Sequence, residues 1–287
     1  MKSKTIYSNW FMIPALLIFS IFFLLPMVIS FYFSLTLWDF SSFTFCGLDN
    51  YISFFTSNSL VGALKNTIVY AVLTCGLKLI LAFLIAVFLT SKKVKSRNLL
   101  RSIVFFPNLV STIAVGITFT ALMHPSKGLL NAILQFFGAE GVNWLGDTKI
   151  ALYSVILTDV WKGVGVATVI FIAGMTSIDR TYYEAASIDG ASSWQQLKSI
   201  TVPLSRPAMN SVILLAFIGG LRSFDLIWTM TGGGPGYATE VLASSIYKEY
   251  AAGYYGLSTA GNVVLFAVIA LMVFPLQKFL LSKEVDE

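Results

Sequence analysis

The chain contains 287 residues, of which 56% are hydrophobic and 11% are charged, and it carries a net charge of +5. Soluble domains have roughly twice this share of charged residues, so the composition excludes an ordinary soluble protein and favours a membrane protein. The basic residues lie between apolar stretches instead of in one patch, which argues against nucleic acid as a partner. Cys46, Cys75 and His124 are too few for a disulfide framework or for a zinc, haem or iron–sulfur site.

The first apolar stretch follows a positively charged N-terminus, as in a secretory signal. It extends from Phe11 to about Leu37, which is too long for the apolar core of a signal peptide, and no Ala-x-Ala cleavage site follows it. We therefore interpret this stretch as a retained membrane span.

Six apolar stretches are long enough to cross the hydrocarbon core of a bilayer. The predicted spans cover residues 11–37, 65–89, 102–123, 150–175, 207–230 and 257–281. Each is predicted to be a helix, because a helix satisfies its own backbone hydrogen bonds and a β-barrel would show shorter alternating segments. The predicted fold is an all-α integral membrane protein with six transmembrane helices in a single transmembrane domain, residues 1–287.

Positive charges orient the predicted spans, because cytoplasmic loops are enriched in Lys and Arg. They fall at the two ends, between spans two and three, and between spans four and five: Lys2, Lys4 and Lys283; Lys92, Lys93, Lys95, Arg97 and Arg101; Arg180, Lys198 and Arg206. The opposite connections carry fewer basic residues and several aromatic ones, such as Trp144 and Tyr254. Both termini are therefore predicted to be cytoplasmic.

The long predicted cytoplasmic segment, residues 177–206, contains the signals of two short helices. One ends at Gly190, since glycine accepts the left-handed conformation that stops a helix. Another begins at the serine pair 192–193, which precedes the glutamine pair 195–196 by the spacing of a capping box, and continues until Pro203 interrupts the backbone. Such a pair makes a compact knob that another protein could contact closely. The alternative is an amphipathic loop on the membrane surface.

This segment resembles the EAA loop of binding-protein-dependent ABC permeases. The matching positions are Glu184, Ala185 and Ala186, then Gly190, then Ile200 and Pro203. The resemblance implies that the loop docks into a groove of a separate ATPase subunit and transmits its movement. On this basis Glu184 would make the ionic contact and Gly190 the turn, and Asp189 is expected to be a local turn or cap residue.

The resemblance extends over most of the chain and points to the carbohydrate-uptake branch of the family. It includes Gly47–Tyr51, Lys65–Thr67, Trp161–Gly165, Phe224–Ile227 and Thr231–Pro235. The last two segments are similar to the first permease subunit of maltose-type and glycerol-phosphate-type importers. The glycine run at 231–236 lacks the Gly-Lys-Ser/Thr ending of a phosphate loop, so it is predicted to form a sharp turn on the extracytoplasmic side.

Charged residues inside the apolar segments need a partner or water, because hydrocarbon does not solvate an ion. Asp159 and Lys162, and likewise Arg222 and Asp225, are three residues apart and could form ion pairs within their helices. A role in the substrate path is the alternative. Lys78 has no obvious partner in the sequence: it could snorkel, pair across an interface or mark a misdrawn boundary.

The resemblance also implies a substrate path, since maltose-type relatives hold the sugar midway through the membrane with the corresponding two spans. Matching outward from Glu184 and Pro203, and adding the charged residues nearby, predicts these path residues: Asp159, Lys162, Gly163 and Val166 on span four, and Ala216, Gly219, Gly220, Arg222, Ser223 and Asp225 on span five. Gly219 and Gly220 replace bulkier side chains of the maltose-type pattern, which would leave room for a different or larger saccharide.

The function implied by the resemblance is that of the permease subunit of an ATP-driven importer, which moves a sugar, expected to be an oligosaccharide, across the bacterial or archaeal cytoplasmic membrane. The implied partners are a second similar permease, a dimer of ABC ATPases, an extracytoplasmic sugar-binding protein and the lipid bilayer. We expect no catalysis in this chain and no cofactor bound to it, with ATP and magnesium held by the ATPase.

Two alternatives remain open at this point. A self-contained secondary transporter or channel predicts inverted repeats, broken helices and a coupling-ion site of acidic residues. An integral-membrane enzyme needs a converging cluster of His, Asp or Ser, for which a single histidine is a poor basis.

Overall fold

The computed structural model describes residues 9–39, 42–91 and 94–282. Within these ranges the regular elements are helices and one two-stranded hairpin. The helices are α1 (Ile13–Phe19), α2 (Leu25–Phe33), α3 (Asp49–Thr56), α4 (Asn58–Thr90), α5 (Arg97–Leu109), α6 (Thr112–Leu122), α7 (Leu129–Phe136), α8 (Ala151–Thr176), α9 (Arg180–Ile188), α10 (Ser193–Gln196), α11 (Val202–Leu204), α12 (Arg206–Leu221), α13 (Asp225–Met230), α14 (Leu242–Ala251) and α15 (Tyr255–Ser282). The antiparallel strands are β1 (Thr36–Trp38) and β2 (Phe43–Phe45).

Four helical segments are long and apolar enough to cross a membrane: Trp10–Phe33, Asn58–Thr90, Ala151–Thr176 and Tyr255–Ser282. Two bent helix pairs raise the number to six if each pair is one span: Arg97–Leu109 with Thr112–Leu122, and Ser193–Leu204 with Arg206–Leu221. The structure is therefore a predominantly helical, multi-pass fold, and the predicted six spans correspond to the upper limit. The predicted cytoplasmic charges at Lys2, Lys4, Lys92, Lys93 and Lys283 lie outside the described residues.

The described residues divide into two compact units. The first contains the chain up to Val61 together with Ser245–Ala267. Here the predicted first helix is too long, because the helix ends at Phe33 and Thr36 already belongs to β1. The Asn50 side-chain amide donates to the carbonyl oxygens of Ser34 and Thr36, at 2.9 Å each, and so fixes the exit from the helix.

The second unit contains Gly62–Ser244 and the chain from Val268 onward. Its core consists of apolar side chains from α4, α6, α8 and α13, among them Tyr70, Val115, Val155 and Ile227. A second cluster joins α4, α8 and α12. In lipid the hydrophobic effect does not favour one apolar contact over another, so close packing of these side chains holds the helices together.

The predicted third span is not one straight helix, since α5 and α6 meet at 95°. Pro107 lies in the last turn of α5 and has no backbone N–H to donate, and Val110 and Ser111 then adopt extended conformations. The last carbonyl groups of α5 are thereby left without helical partners. A polar partner for them is required at this depth.

The predicted fifth span, 207–230, is also interrupted. Helix α12 ends at Leu221, and α13 begins only at Asp225. Arg222 follows the C-terminus of α12, where a positive charge interacts favourably with the helix dipole. An Arg222–Asp225 ion pair within one helix was one of two alternatives open from the sequence, and it is excluded because the two residues do not share a helix.

Gly220 and its neighbour Gly219 provide a test of this packing. A Cβ atom at Gly220 would lie 2.6 Å from Ala71 Cα in α4, whereas one at Gly219 would have nothing within 4 Å. We expect Gly220→Ala to destabilise the chain by about 1–3 kcal/mol, because α4 and α12 must move apart. Gly219→Ala should be neutral or slightly stabilising. Thermal unfolding of both variants in the same detergent measures the difference, and equal melting temperatures would contradict the close packing.

Candidate functional site

The segment between α8 and α12 forms a braced pair of short helices. Asp179 precedes α9, and its carboxylate accepts the backbone N–H of Thr181 at 2.9 Å. Gly190 has a φ of +76°, which confirms the predicted left-handed turn. The backbone N–H of Ala191 closes this turn on the carbonyl of Ala186 at 2.8 Å.

The second helix begins with the predicted capping box. The Ser192 N–H donates to Gln195 Oε1 at 2.7 Å, and the Gln195 N–H donates to Ser192 Oγ at 3.4 Å. The helix does not stop where Pro203 was expected to interrupt it. A wide turn over Leu197–Thr201 leads into α11, and the helix ends at Ser205. Pro203 is accommodated because it stands in the first turn of α11.

Two side-chain contacts hold the short helices together. The Tyr183 hydroxyl lies 3.0 Å from the Thr201 hydroxyl, and the Gln196 amide donates to Ser187 Oγ at 3.0 Å. We call residues 179–205 the coupling knob. Hydrogen bonds thus brace the knob internally.

The outer surface of the coupling knob combines acidic and apolar side chains. Glu184 and Ala185 are exposed on α9, together with Ile188 at 86% and Trp194 at 71%. Ala186 and Ile200 are half-buried, and Asp189 caps the end of α9. Large exposed apolar side chains around a charge are typical of a docking surface.

A buried ion pair connects α4 to α8. Lys78 Nζ lies 2.9 Å from Asp159 Oδ2, and the side chains retain only 11% and 20% of their exposure. Gly163 makes room for this contact, because a Cβ atom there would lie 2.7 Å from Lys78 Cε. The structure thus gives Lys78 the partner that the sequence did not reveal.

The contact made by Lys162 also differs from the pairing with Asp159 that its spacing allowed. Its ammonium group donates to the Asn108 carbonyl oxygen at 3.4 Å. Asn108 stands at the C-terminal end of α5, whose last carbonyls lack helical partners. A lysine at this position donates a hydrogen bond to one of these carbonyl groups, and its positive charge interacts favourably with the negative end of the helix dipole.

These groups surround a cavity of about 260 Å³ in the second unit. Its lining residues are Lys78, Asn108, Thr112, Asp159, Lys162, Gly163, Val166, Ala167, Ile170, Val212, Leu215 and Ala216. The cavity brings together five of the ten predicted path residues, Asp159, Lys162, Gly163, Val166 and Ala216. It is lined on one side by the break between α5 and α6.

The other predicted path residues do not line this cavity. Gly219 is exposed with open space beside it, and Gly220 packs on α4. Arg222, Ser223 and Asp225 lie at the break that follows α12. Sequence reasoning missed Asn108 and Thr112, although Pro107 signals a helix break beside them. It noted Lys78 as a lone charge in an apolar span and left it without a role.

The glycine run forms the predicted turn. Gly232, Gly233 and Gly236 have φ values of +59°, +92° and +58°. The Thr239 hydroxyl closes the turn by donating to the Gly234 carbonyl at 2.7 Å. The Asn66 side-chain amide of α4 donates to the Glu240 carbonyl at 2.9 Å, so a hydrogen bond connects the segment after the turn to α4.

Comparison with known proteins identifies the class to which this fold and this knob belong. A family model described as binding-protein-dependent transport system inner membrane component matches residues 78–283. The trehalose/maltose transport system permease protein MalF of Thermococcus litoralis is 34% identical over 90% of this chain and 88% of its own length. The arabinooligosaccharides transport system permease protein AraP of Bacillus subtilis is 32% identical over 94% and 87%.

Solved structures agree at the level of the fold. A chain of a bacterial ABC transporter involved in the import of the acidic polysaccharide alginate superimposes with a TM-score of 0.81 at 24% identity, over 95% of both chains. A second structure of an alginate ABC transporter, in complex with an alginate pentasaccharide-bound periplasmic protein, gives 0.79 over 93% of both. This chain belongs to the family of inner-membrane components of binding-protein-dependent transport systems, as the EAA-like loop predicted.

The Asp179 cap gives the coupling knob a pH dependence. The Thr181 N–H bond lowers the pKa of Asp179, so the cap contributes above the ordinary carboxyl range and is lost as the pH falls through the lowered pKa. We expect Asp179→Ala to make the knob more sensitive to limited proteolysis at neutral pH, whereas Asp179→Asn, which can still cap, should resemble the wild type. Equal sensitivity of both variants would show that the cap does not order the knob.

The ion pair gives a second prediction. Lys78→Met leaves the Asp159 carboxylate unpaired in an apolar environment, so we expect a loss of about 3 kcal/mol in unfolding free energy. The double variant Lys78→Met/Asp159→Asn should recover most of this loss, because no isolated charge remains. Lys65→Met, an exposed lysine on the same helix, is the control. Unfolding in mixed micelles measures all three, and a double variant as unstable as the single one would contradict the pairing.

Proposed function

We propose that this chain is the transmembrane permease subunit of an ATP-driven importer that moves a sugar, delivered by an extracytoplasmic binding protein, across the cytoplasmic membrane. The observation that carries the proposal is the coupling knob, a hydrogen-bonded pair of helices that exposes Glu184 in a chain of this family. Relatives named for trehalose, maltose and arabinooligosaccharides support a sugar as the substrate, and an oligosaccharide fits this set best.

The proposed partners follow from the family to which the chain belongs. A second, similar permease would form the other wall of a substrate path beside this cavity. An ABC ATPase dimer would bind ATP and magnesium, receive the coupling knob, and supply the energy. This chain would then carry out no covalent chemistry and hold no cofactor. The binding protein would dock on the extracytoplasmic side, and the alginate transporter solved in complex with its periplasmic protein supports such a partner.

The proposed mechanism uses the chain connectivity of the knob. Helix α8 leads into the knob and α12 leads out of it, and both helices contribute residues to the cavity. Movement of the ATPases toward each other would push the knob, reorient α8 and α12, and open the cavity to the extracytoplasmic side. In this arrangement α5 and α6 together form one span, and α12 with α13 forms another, which gives six spans and cytoplasmic termini.

The proposal is tested by reversing one charge on each side of the membrane. The chain is expressed with its neighbouring transporter subunits and purified in detergent. We expect the wild type to retain an ATPase, and Glu184→Lys to lose it or to reduce sugar-stimulated ATP hydrolysis at least about tenfold, because like charges across an interface repel. Glu140→Lys, an exposed residue of the predicted extracytoplasmic segment, is the matched control and should behave as the wild type.

One result would replace the proposal. The broken helices at the cavity are also a feature of secondary transporters, so they do not distinguish the two classes. A wild-type chain that purifies alone and transports without ATP would establish a self-contained transporter. Loss of the ATPase by both charge-reversal variants would show that the knob is not the specific contact.

A further inference from the structure

Helix α7, in the connection between α6 and α8, has an exposed apolar face. Leu129, Ile133 and Phe136 recur at the spacing of one helix face, and all three are exposed, Phe136 at 84%. Phe137 follows the last turn at 78% exposure, and its ring meets that of Phe136 edge to face. We call these four side chains the α7 face. A cluster of large exposed apolar groups marks a surface for a protein or for a membrane.

The opposite side of α7 is held in place by Asn131, which is buried. Its amide nitrogen donates to the carbonyl oxygens of Pro125 and Val142, at 2.8 Å each. Its amide oxygen accepts the Val142 N–H at 3.0 Å and the Trp144 indole N–H at 2.9 Å. The neighbouring Leu130 packs against the core of the second unit. The orientation of α7 is therefore fixed by the protein, and the α7 face points away from the core.

The depth of α7 relative to a membrane follows from α8. Ser154, in the first turn of α8, donates to the Trp144 carbonyl at 2.8 Å, so the loop that holds Asn131 is attached to the beginning of α8. Helix α8 has 26 residues. At 1.5 Å per residue it is about 39 Å long, whereas the hydrocarbon core is about 30 Å thick. The first turn of α8 therefore lies near the boundary between headgroups and acyl chains, and α7 lies beside it.

The chemistry of the α7 face favours lipid over a protein partner. The sequence from Gly128 to Ala139 contains no charged residue, and Lys127 and Glu140 stand directly before and after it. Protein interfaces carry about one hydrogen bond per 100–200 Å² and are enriched in Tyr, Trp and Arg, whereas the α7 face offers hydrocarbon groups alone. The coupling knob differs, because Glu184 lies among its apolar side chains. An apolar helix face with charges only at its two ends fits the membrane interface.

We propose that α7 is a lipid-binding element: the α7 face enters the leaflet beside the start of α8, at the level of the upper acyl chains, and anchors the segment that joins α6 to α8. In the proposed orientation this is the extracytoplasmic leaflet. The ligand is the acyl region of a phospholipid, with no requirement for a charged headgroup. Such anchoring does not depend on the proposed function, because it is the same whether the chain works with an ATPase or alone.

The test measures the depth of α7 in a bilayer by electron paramagnetic resonance. The chain, with the transporter subunits that co-purify with it, is placed in phosphatidylcholine nanodiscs. Cys46→Ser and Cys75→Ala remove the native thiols, so that a nitroxide label attaches to one introduced cysteine. Collisions of the label with oxygen, which concentrates in hydrocarbon, and with a water-soluble nickel chelate give its depth.

Two labelled positions on the α7 face are compared with two controls. We expect labels at Phe136→Cys and Ile133→Cys to lie about 5–10 Å below the phosphate groups, where oxygen reaches them and nickel does not. Gln135→Cys, an exposed position on the flank of the same helix, should be shallower, and Lys127→Cys should be in water. Two positions on one face keep the test decisive if one variant does not fold.

Three results would overturn lipid binding, and each leaves the importer function intact. Ready access of nickel to both face labels would place the α7 face in water. Protection from both oxygen and nickel would show that a protein covers it: a second permease if the protection is constant, or the binding protein if it appears only when that protein is added. A label at Gln135→Cys as deep as the one at Phe136→Cys would show that the α7 face does not orient the helix.

Discussion

Backbone groups cannot remain without partners in the hydrocarbon core, and this constraint explains where the structure is irregular. The chain breaks its helices at Val110–Ser111 and again after Leu221. At the first break the exposed carbonyl of Asn108 is met by Lys162, and polar or charged residues occur at the second. At both of these breaks the irregular backbone coincides with polar or charged side chains. The cavity lies beside the first of these breaks.

The same constraint governs the buried charges. A lysine or an aspartate alone in an apolar span would be costly, whereas Lys78 and Asp159 are paired with each other and both line the cavity. Gly163 is essential to this arrangement because any side chain there would occupy the space of the lysine. The sequence pattern assigned Gly163 to a substrate path, and in the structure this glycine makes room for the ion pair beside it.

Helices α8 and α12 lead from the coupling knob to the cavity. Asp159 and the end of α8 at Thr176 are separated by roughly 25 Å of helix at 1.5 Å per residue. Helix α12 begins directly after the knob and reaches the cavity at Val212 and Ala216. Gly174 and Ala208 bring α8 and α12 into close contact near the knob. On the proposed function, this contact would transmit a movement of the knob toward the cavity.

The sequence by itself determined the membrane class, the approximate position of the apolar segments, the family, and the local structure of the knob. These features depend on composition and on residues close together in the chain: the Gly190 turn and the Ser192–Gln195 capping box are local, so a short window contains their cause. The tertiary structure alone decided the partner of Lys78, the engagement of Lys162 with Asn108, and which predicted path residues share a cavity. Spacing along the chain allowed Asp159 to pair with Lys162, but helices also pack side by side. Lys78 is distant in sequence, yet it forms the ion pair with Asp159 because Gly163 leaves room for its side chain.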